Sequence, residues 1–170
     1  MKKLVFILTT FVVLTFSQTA TAQKTLVDVA VGNEDFSTLV AALKAADLVS
    51  ALKGDGPFTV FAPTNSAFAK IDKDALSNLL KPENKEVLSN ILTYHVIPGK
   101  LMASDVVAAL KKGDGKVEVK ALNGTVLTVM SKNEKIWLKD QAGNYSEITA
   151  TDVPGSNGVI HVIDTVVMPK

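Results

Sequence analysis

Phe58-Thr59-Val60-Phe61-Ala62-Pro63-Thr64-Asn65-Ser66-Ala67-Phe68 is the stretch whose reading decides how this chain folds. Phe58 to Ala62 is bulky, partly β-branched and uncharged, which predicts a buried strand. Pro63 brings no amide hydrogen to a ladder and is expected to stop it. Thr64 or Asn65 then offers the side-chain oxygen that caps a helix, expected to run to Ile71. A strand end, a tight corner and a helix start therefore fall together, with Phe58, Phe61 and Phe68 as apolar fastenings. A second dense stretch, Asn157-Gly158-Val159-Ile160-His161-Val162-Ile163-Asp164, closes the chain and reads as the partner of the first in one core. Both are too apolar to be reagents.

Upstream, Met1-Lys2-Lys3 precedes an apolar run, Leu4 to Phe16, and then the small residues Ala20-Thr21-Ala22. That pattern predicts a secretory signal peptide over residues 1–22, cut before Gln23. The run falls short of the roughly 20 apolar residues that a membrane helix needs, so no span is expected. There is no cysteine at the cut to carry a lipid, and the product is expected to be secreted or periplasmic. Residues 23–170 have the length of one domain. The chain lacks cysteine altogether, so in an oxidising compartment it must rely on its core. Its 18 basic residues are all lysine and nearly balance 17 acidic ones. Without arginine's planar fork or a strong positive field, nucleic acid is not an expected partner.

Before the first stretch, Leu26, Val27, Ala30 and Val31 predict a short helix ending near Gly32, and Phe36, Leu39, Val40 and Leu43 recur at helical spacing. Asp47 is expected to cap another short helix through Lys53, and Gly54-Asp55-Gly56-Pro57 is turn material. After it, Asp72 should cap a helix facing Leu76, Leu79 and Leu80 inward. Pro82 suits a first helical position, with Val87, Leu88, Ile91 and Leu92 as the buried stripe and Tyr94 and His95 carried in behind them. Val96-Ile97-Pro98-Gly99 reads as a turn. Ser104 is expected to cap a helix burying Val106, Val107 and Leu110. From Lys116 the apolar period becomes two: strands are expected at Lys116–Ala121, Thr125–Ser131, Lys135–Lys139 and Tyr145–Ala150, and one long strand or a pair of strands at Val159–Val167. Asn123-Gly124 marks a hairpin, and Gly155-Ser156-Asn157-Gly158 a loop. Lysines at 116, 120, 132, 135 and 139 should protect exposed edges. The class is α+β, with a helical first half and a β-meander second half.

Catalytic chemistry finds little support. His95 and His161 are the only histidines, both in apolar settings, and read as imidazoles bonded to backbone. A zinc site would need more ligands than these, so no metal or other cofactor is expected. Gly155-Ser156-Asn157-Gly158 is not a nucleophile elbow. Asp164 lies an odd number of residues from His161, on the opposite face of a strand. Asp72-Lys73-Asp74 lacks the glycine and distant glutamate of a calcium loop. Trp137 reads as core packing, with a sugar-stacking platform as the alternative.

Three blocks in order carry a family likeness: Thr59-Val60-Phe61-Ala62-Pro63-Thr64-Asn65 with Phe68; Tyr94-His95-Val96-Ile97-Pro98-Gly99; and Gly158-Val159-Ile160-His161-Val162-Ile163-Asp164. They resemble the two signatures and the Tyr-His segment of fasciclin-like domains. The resemblance implies a wedge of two β-sheets flanked by several short helices, the two signatures side by side. It also implies a secreted, non-enzymatic binding protein with a cell-adhesion or surface-matrix role, meeting a protein or polysaccharide. By that likeness the partner-binding positions are Asp152-Val153, where relatives have an Asp-Ile pair, and Tyr94-His95. Pro154 departs from the pattern, so integrin binding as such is not carried over. The alternatives are a soluble carrier of a small molecule or lipid and, more remotely, a hydrolase. A lone unanchored domain gains nothing from linked sites, so weak self-association or a second binding face is expected.

Overall fold

The computed structural model describes residues 24–170; the expected leader and its cut before Gln23 lie outside them. Short helices open the described residues. Thr25 and Asp28 form a reciprocal cap on α1 (Leu26–Val31), and Lys53 bridges Asp28 at 2.8 Å. A 3-10 turn at Glu34–Phe36 leads into α2 (Ser37–Ala45), which buries Leu39, Val40, Ala42 and Leu43. Next comes α3 (Val49–Leu52), with no side-chain cap. Asp47, expected as that cap, adopts φ 59° and instead meets Lys85 at 3.4 Å.

The decisive stretch forms β1 (Phe58–Pro63) and α4 (Asn65–Phe68). Thr64 is the cap, its hydroxyl accepting from the Ala67 amide at 3.3 Å. Pro63 stays within the strand, paired with Ile163, and the helix ends three residues earlier than expected. Asp72 caps α5 (Lys73–Leu79) as its sequence suggests, accepting from two amides. A 3-10 turn at Pro82–Asn84 precedes α6 (Lys85–Tyr94). Leu88, Ile91 and Leu92 point inward, but Val87 is 51% exposed.

Val96-Ile97-Pro98 is a strand, β2, rather than a turn. In α7 (Ala103–Lys112) Ser104 lies inside the helix; the Asp105 carboxylate accepts from the Met102 amide at 3.0 Å. Val107 on that helix is exposed, unlike Val106 and Leu110. The meander follows: β3 (Lys116–Lys120), β4 (Val126–Lys132), β5 (Lys135–Lys139), β6 (Tyr145–Gly155) and β7 (Gly158–Ile163). β6 runs on to Gly155, so the expected four-residue loop shrinks to Ser156-Asn157, and β7 stops before Asp164.

Seven strands pair in the order β2-β1-β7-β6-β5-β4-β3. The two sheets expected from the resemblance appear as two halves sharing β6. Only β1 and β7 run parallel; Phe58 faces Gly158 and Phe61 faces His161. A Cβ at Gly158 would overlap the Phe58 carbonyl, which is why glycine stands there. The sheet curls until its ends meet: the Leu122 amide, just past β3, donates to the Val96 carbonyl of β2 at 2.7 Å. Lys116 and Lys120 lie exposed on the other edge strand.

The parallel pair explains the apolar density of both signature stretches, since helices cover one side and the curled sheet the other. Val60, Ala62 and Ile160 join Leu26, Leu39, Leu43, Phe68 and Leu92 in a helical core. Phe61 and Ile163 face the second core with Tyr94, Ile97, Leu110, Leu127, Leu138 and Val167. β3 to β6 bury one face only. Among the described residues no helix is long and apolar enough to cross a membrane.

Candidate functional site

One buried polar side chain from each signature, Thr59 and His161, reaches the same segment, Gly99–Leu101, which leads from β2 to α7. Thr59, fully buried on β1, donates its hydroxyl to the Gly99 carbonyl at 2.7 Å and accepts from the Leu101 amide at 2.9 Å. From β7, His161 Nε2 lies 2.8 Å from the Leu101 carbonyl. Its Nδ1 accepts from the Asp152 amide at 3.3 Å, so the proton sits on Nε2 and donates to Leu101. Asp152 completes the clasp, its carboxylate accepting from the Ala103 amide at 2.8 Å. It can do so because β6 bulges there: the register slips between Ala150 and Val153, and Asp152 takes φ 59°.

His95 is tied in the same manner elsewhere. Nδ1 donates to the Ile91 carbonyl at 2.8 Å and Nε2 accepts from the Val167 amide at 3.2 Å, fastening the C-terminal segment to α6. Burial pushes this imidazole down to about 4, against the opposing pull of the Ile91 carbonyl and the Asp140 charge. Tyr94 is fully enclosed, its hydroxyl bonded to the Val126 carbonyl at 3.1 Å, and burial with Asp140 pushes it up to about 12. Both ring nitrogens of both histidines are thus spent on backbone. Tyr94 and His95, expected to meet a partner, correct to interior residues: with 0% and 2% exposure they have no surface to offer.

Other signature residues are fasteners too. Asn65 accepts from Thr38 N and Ser37 Oγ and donates to Glu34 O, holding α4 against α2. Asn157 accepts from the Leu26 amide and donates to Leu52 O and Gly54 O. Burial would raise the Asp164 carboxyl, but bonds from the Glu147 amide, Lys70 and Thr165 outweigh it and hold it below its usual value.

What this scaffold leaves outside is a contiguous edge. Pro98 and Lys100 are exposed, Leu101 and Met102 half-buried; across the Asp152–Ala103 bond lie exposed Thr151 and Pro154 and half-buried Asp152 and Val153. Asp152-Val153 therefore lies on an accessible edge. The adjoining Lys100–Met102 segment carries no periodicity or motif that would have marked it; only its neighbours in space do.

Cavities and aromatic residues complete the surface. The apolar void in the helical core, bounded by Leu26, Leu39, Leu52 and Ile160, holds about 20 Å³. Larger hollows, such as one of about 370 Å³ beside α7 and one of about 490 Å³ beside the β5–β6 turn, are grooves on the outside. Trp137 differs from the core expectation. Leu138 takes the buried face of β5, so Trp137 lies on the outer face, half-covered, its Nε1 buried without a partner among the described residues. Among those residues no three His, Cys, Asp or Glu side chains gather in a metal-binding group.

Comparison with known proteins agrees with this architecture. A profile of the Fasciclin domain matches residues 34–169. Protein sll1483 of Synechocystis sp. is 51% identical over 154 residues, spanning 90% of this chain and 78% of its own. Transforming growth factor-beta-induced protein ig-h3 of Sus scrofa is 38% identical over 145 residues, 85% of this chain but only 19% of that protein. Immunogenic protein MPB70 of Mycobacterium bovis is 32% identical over 142 residues, 81% of this chain and 65% of its own. A FAS1 domain pair from the insect cell adhesion molecule Fasciclin I superposes with a TM-score of 0.73 at 19% identity, over 84% of this chain and 50% of that one, a likeness of fold. With the profile spanning most of the chain and a relative 51% identical over 78% of its own length, the chain belongs to the fasciclin domain family.

Proposed function

We propose that this protein is a non-enzymatic binding module of the cell exterior, secreted or periplasmic, with an adhesion or surface-matrix role. Its contact surface is the Pro98–Met102 segment with the Asp152-Val153 bulge. One observation carries this reading: Thr59, His161 and Asp152 spend their polar atoms on holding that segment rigid instead of pointing into a cleft. Buried polar groups that are fully bonded are poor acids, bases or nucleophiles but good scaffolding. A preformed edge binds a macromolecule without an ordering cost. Descent from a family with a cell adhesion molecule among its folds adds to the case. A carrier of an enclosed lipid has less behind it, because the interior void of about 20 Å³ is far below the roughly 300 Å³ of a small-molecule site.

Retention on whole cells or on their isolated surface matrix tests the proposal. Asp152→Ala and Lys100→Glu are each expected to lower retention while leaving cooperative melting in place. Turnover of any substrate, lost on replacing His161 in a folded variant, would sink it.

A further inference from the structure

We propose that the groove beside the β5–β6 turn, extended across the outer face of β5, is a second binding site, and that its ligand is a neutral polysaccharide chain. This rests on the surface-binding reading above and names a substrate class for it. The groove, about 490 Å³, lies between the end of α4, the β5–β6 turn and the C-terminal segment. Lys70, Asn144, Tyr145 and Thr165 bring polar groups to it, while Ile71 and Met168 bring apolar surface. That mixture of donors, acceptors and apolar patches matches a sugar ring, which has hydroxyls around its rim and C–H groups on its faces.

Two further features specify the ligand. The first is aromatic: Tyr145 lies 49% exposed at the groove and begins β6 opposite Lys139. Trp137, two positions back along β5, shares the outer face, paired with Glu147. Cross-strand diagonals of this kind put side chains about 7–8 Å apart, within reach of successive parts of one extended ligand. Tyr145 offers an exposed ring with a polar tip and half-covered Trp137 part of an apolar indole face, a surface on which sugars stack. The second is charge. Lys70 is bonded to Asp164 at 3.0 Å and to Thr165 at 2.9 Å, and Lys135 meets Glu147 at 2.7 Å. The Lys139 ammonium lies 5.6 Å from the Tyr145 ring centre. Two of these three lysines are offset by carboxylates and Lys139 is held over a ring, so little net charge is left to select an anion, and a neutral hydroxylated chain fits better than a phosphate or an acidic lipid. Tyr145 and Asp152 are seven residues apart on β6, about 20 Å along a strand. The molecule would then hold two partners at once, and linked contacts gain in avidity.

Cellopentaose, chitopentaose, maltopentaose and, as an apolar-tail probe, dodecanoate are titrated into the ¹⁵N-labelled protein. At least one pentasaccharide is expected to shift the amides of Lys70, Asn144, Tyr145 and Thr165. Tyr145→Ala should weaken it about tenfold or more and Trp137→Ala a few-fold, whereas Tyr145→Phe keeps the ring and the binding. Trp137→Ala carries the test alone should Tyr145→Ala melt early. Shifts from dodecanoate only, or none from the pentasaccharides at millimolar concentration, overturn the proposal. A second arm compares retention of wild type and Tyr145→Ala on the insoluble envelope polysaccharide. Equal retention refutes the groove and leaves the Asp152 edge standing; wash-off of the wild type from envelope and whole cells alike removes both.

Discussion

The β1–β7 pair and the β3–β6 meander belong to one curled sheet but are built for opposite ends. In the parallel pair both faces are covered, and every signature side chain is either core or a satisfied polar fastener. In the meander one face is core, through Leu127, Val129 and Leu138, and the other faces outward with half-covered Trp137, exposed Tyr145 and the lysines. The most recognisable residues of the chain are therefore its frame, and the surfaces free to bind are made by less distinctive ones. A recognisable motif here marks where the fold is held, and the segment it holds, Gly99–Ala103, belongs to the proposed contact surface.

Substitutions break or sharpen that contrast in order of expected size. Phe61→Ala, in the centre of the pair and 5.7 Å from the His161 ring, empties a fully enclosed site. It should cost about 4 kcal/mol in denaturant unfolding; a loss below that of a meander substitution such as Val126→Ala would erase the distinction. Next comes acid. His95 is depressed from 6.5 to about 4 when folded, so the unfolded chain binds more protons between those values. Its contribution is whole above pH 6.5 and declines as pH falls towards 4, by up to about 3 kcal/mol. Equilibrium unfolding against pH measures the decline, and an NMR titration of the His95 ring should show no midpoint near 6.5. The lowered carboxyls of Asp28 and Asp164 act below that window, under their ordinary 3.8.

His161→Ala leaves the Leu101 carbonyl and the Asp152 amide without their partner. The expected loss is about 2 kcal/mol, together with faster amide exchange in residues 99–103. Unchanged stability with altered exchange would mean that the histidine tunes the segment without supporting the fold. Smallest of all, Tyr145→Ala on the open face should move stability by no more than about 0.5 kcal/mol in thermal melts.

Much of the frame was legible because its causes are local. Thr64 and Asp72 cap the helices they precede, and Asn123-Gly124 turns the hairpin. Each needs only a side chain a few residues from the group it satisfies. The misreadings occur where a distant group competes. Asp47 turns to Lys85 on another helix, while the first amides of α7 are met by Asp105 and by Asp152 on a strand 49 residues away, leaving Ser104 no cap to make. Val87 and Val107 fit the helical stripe by spacing yet face solvent, because the position of the neighbouring element sets the width of a buried stripe. Val96–Pro98 is a strand only because β1 lies beside it.

The candidate site divides the same way. Asp152-Val153 came from the resemblance and lies on an accessible edge, whereas Tyr94 and His95, drawn from the same likeness, are interior. The sequence alone determined the α+β class and the pairing of two apolar stretches, since bulk, period and residue type are properties of the chain itself. Tertiary structure alone decided which polar side chains face inward, that a bulge brings Asp152 to α7, and that Trp137 lies outward beside Tyr145. Those depend on register and curvature, which arise only when strands far apart in sequence pair, and a one-residue slip would reverse every face.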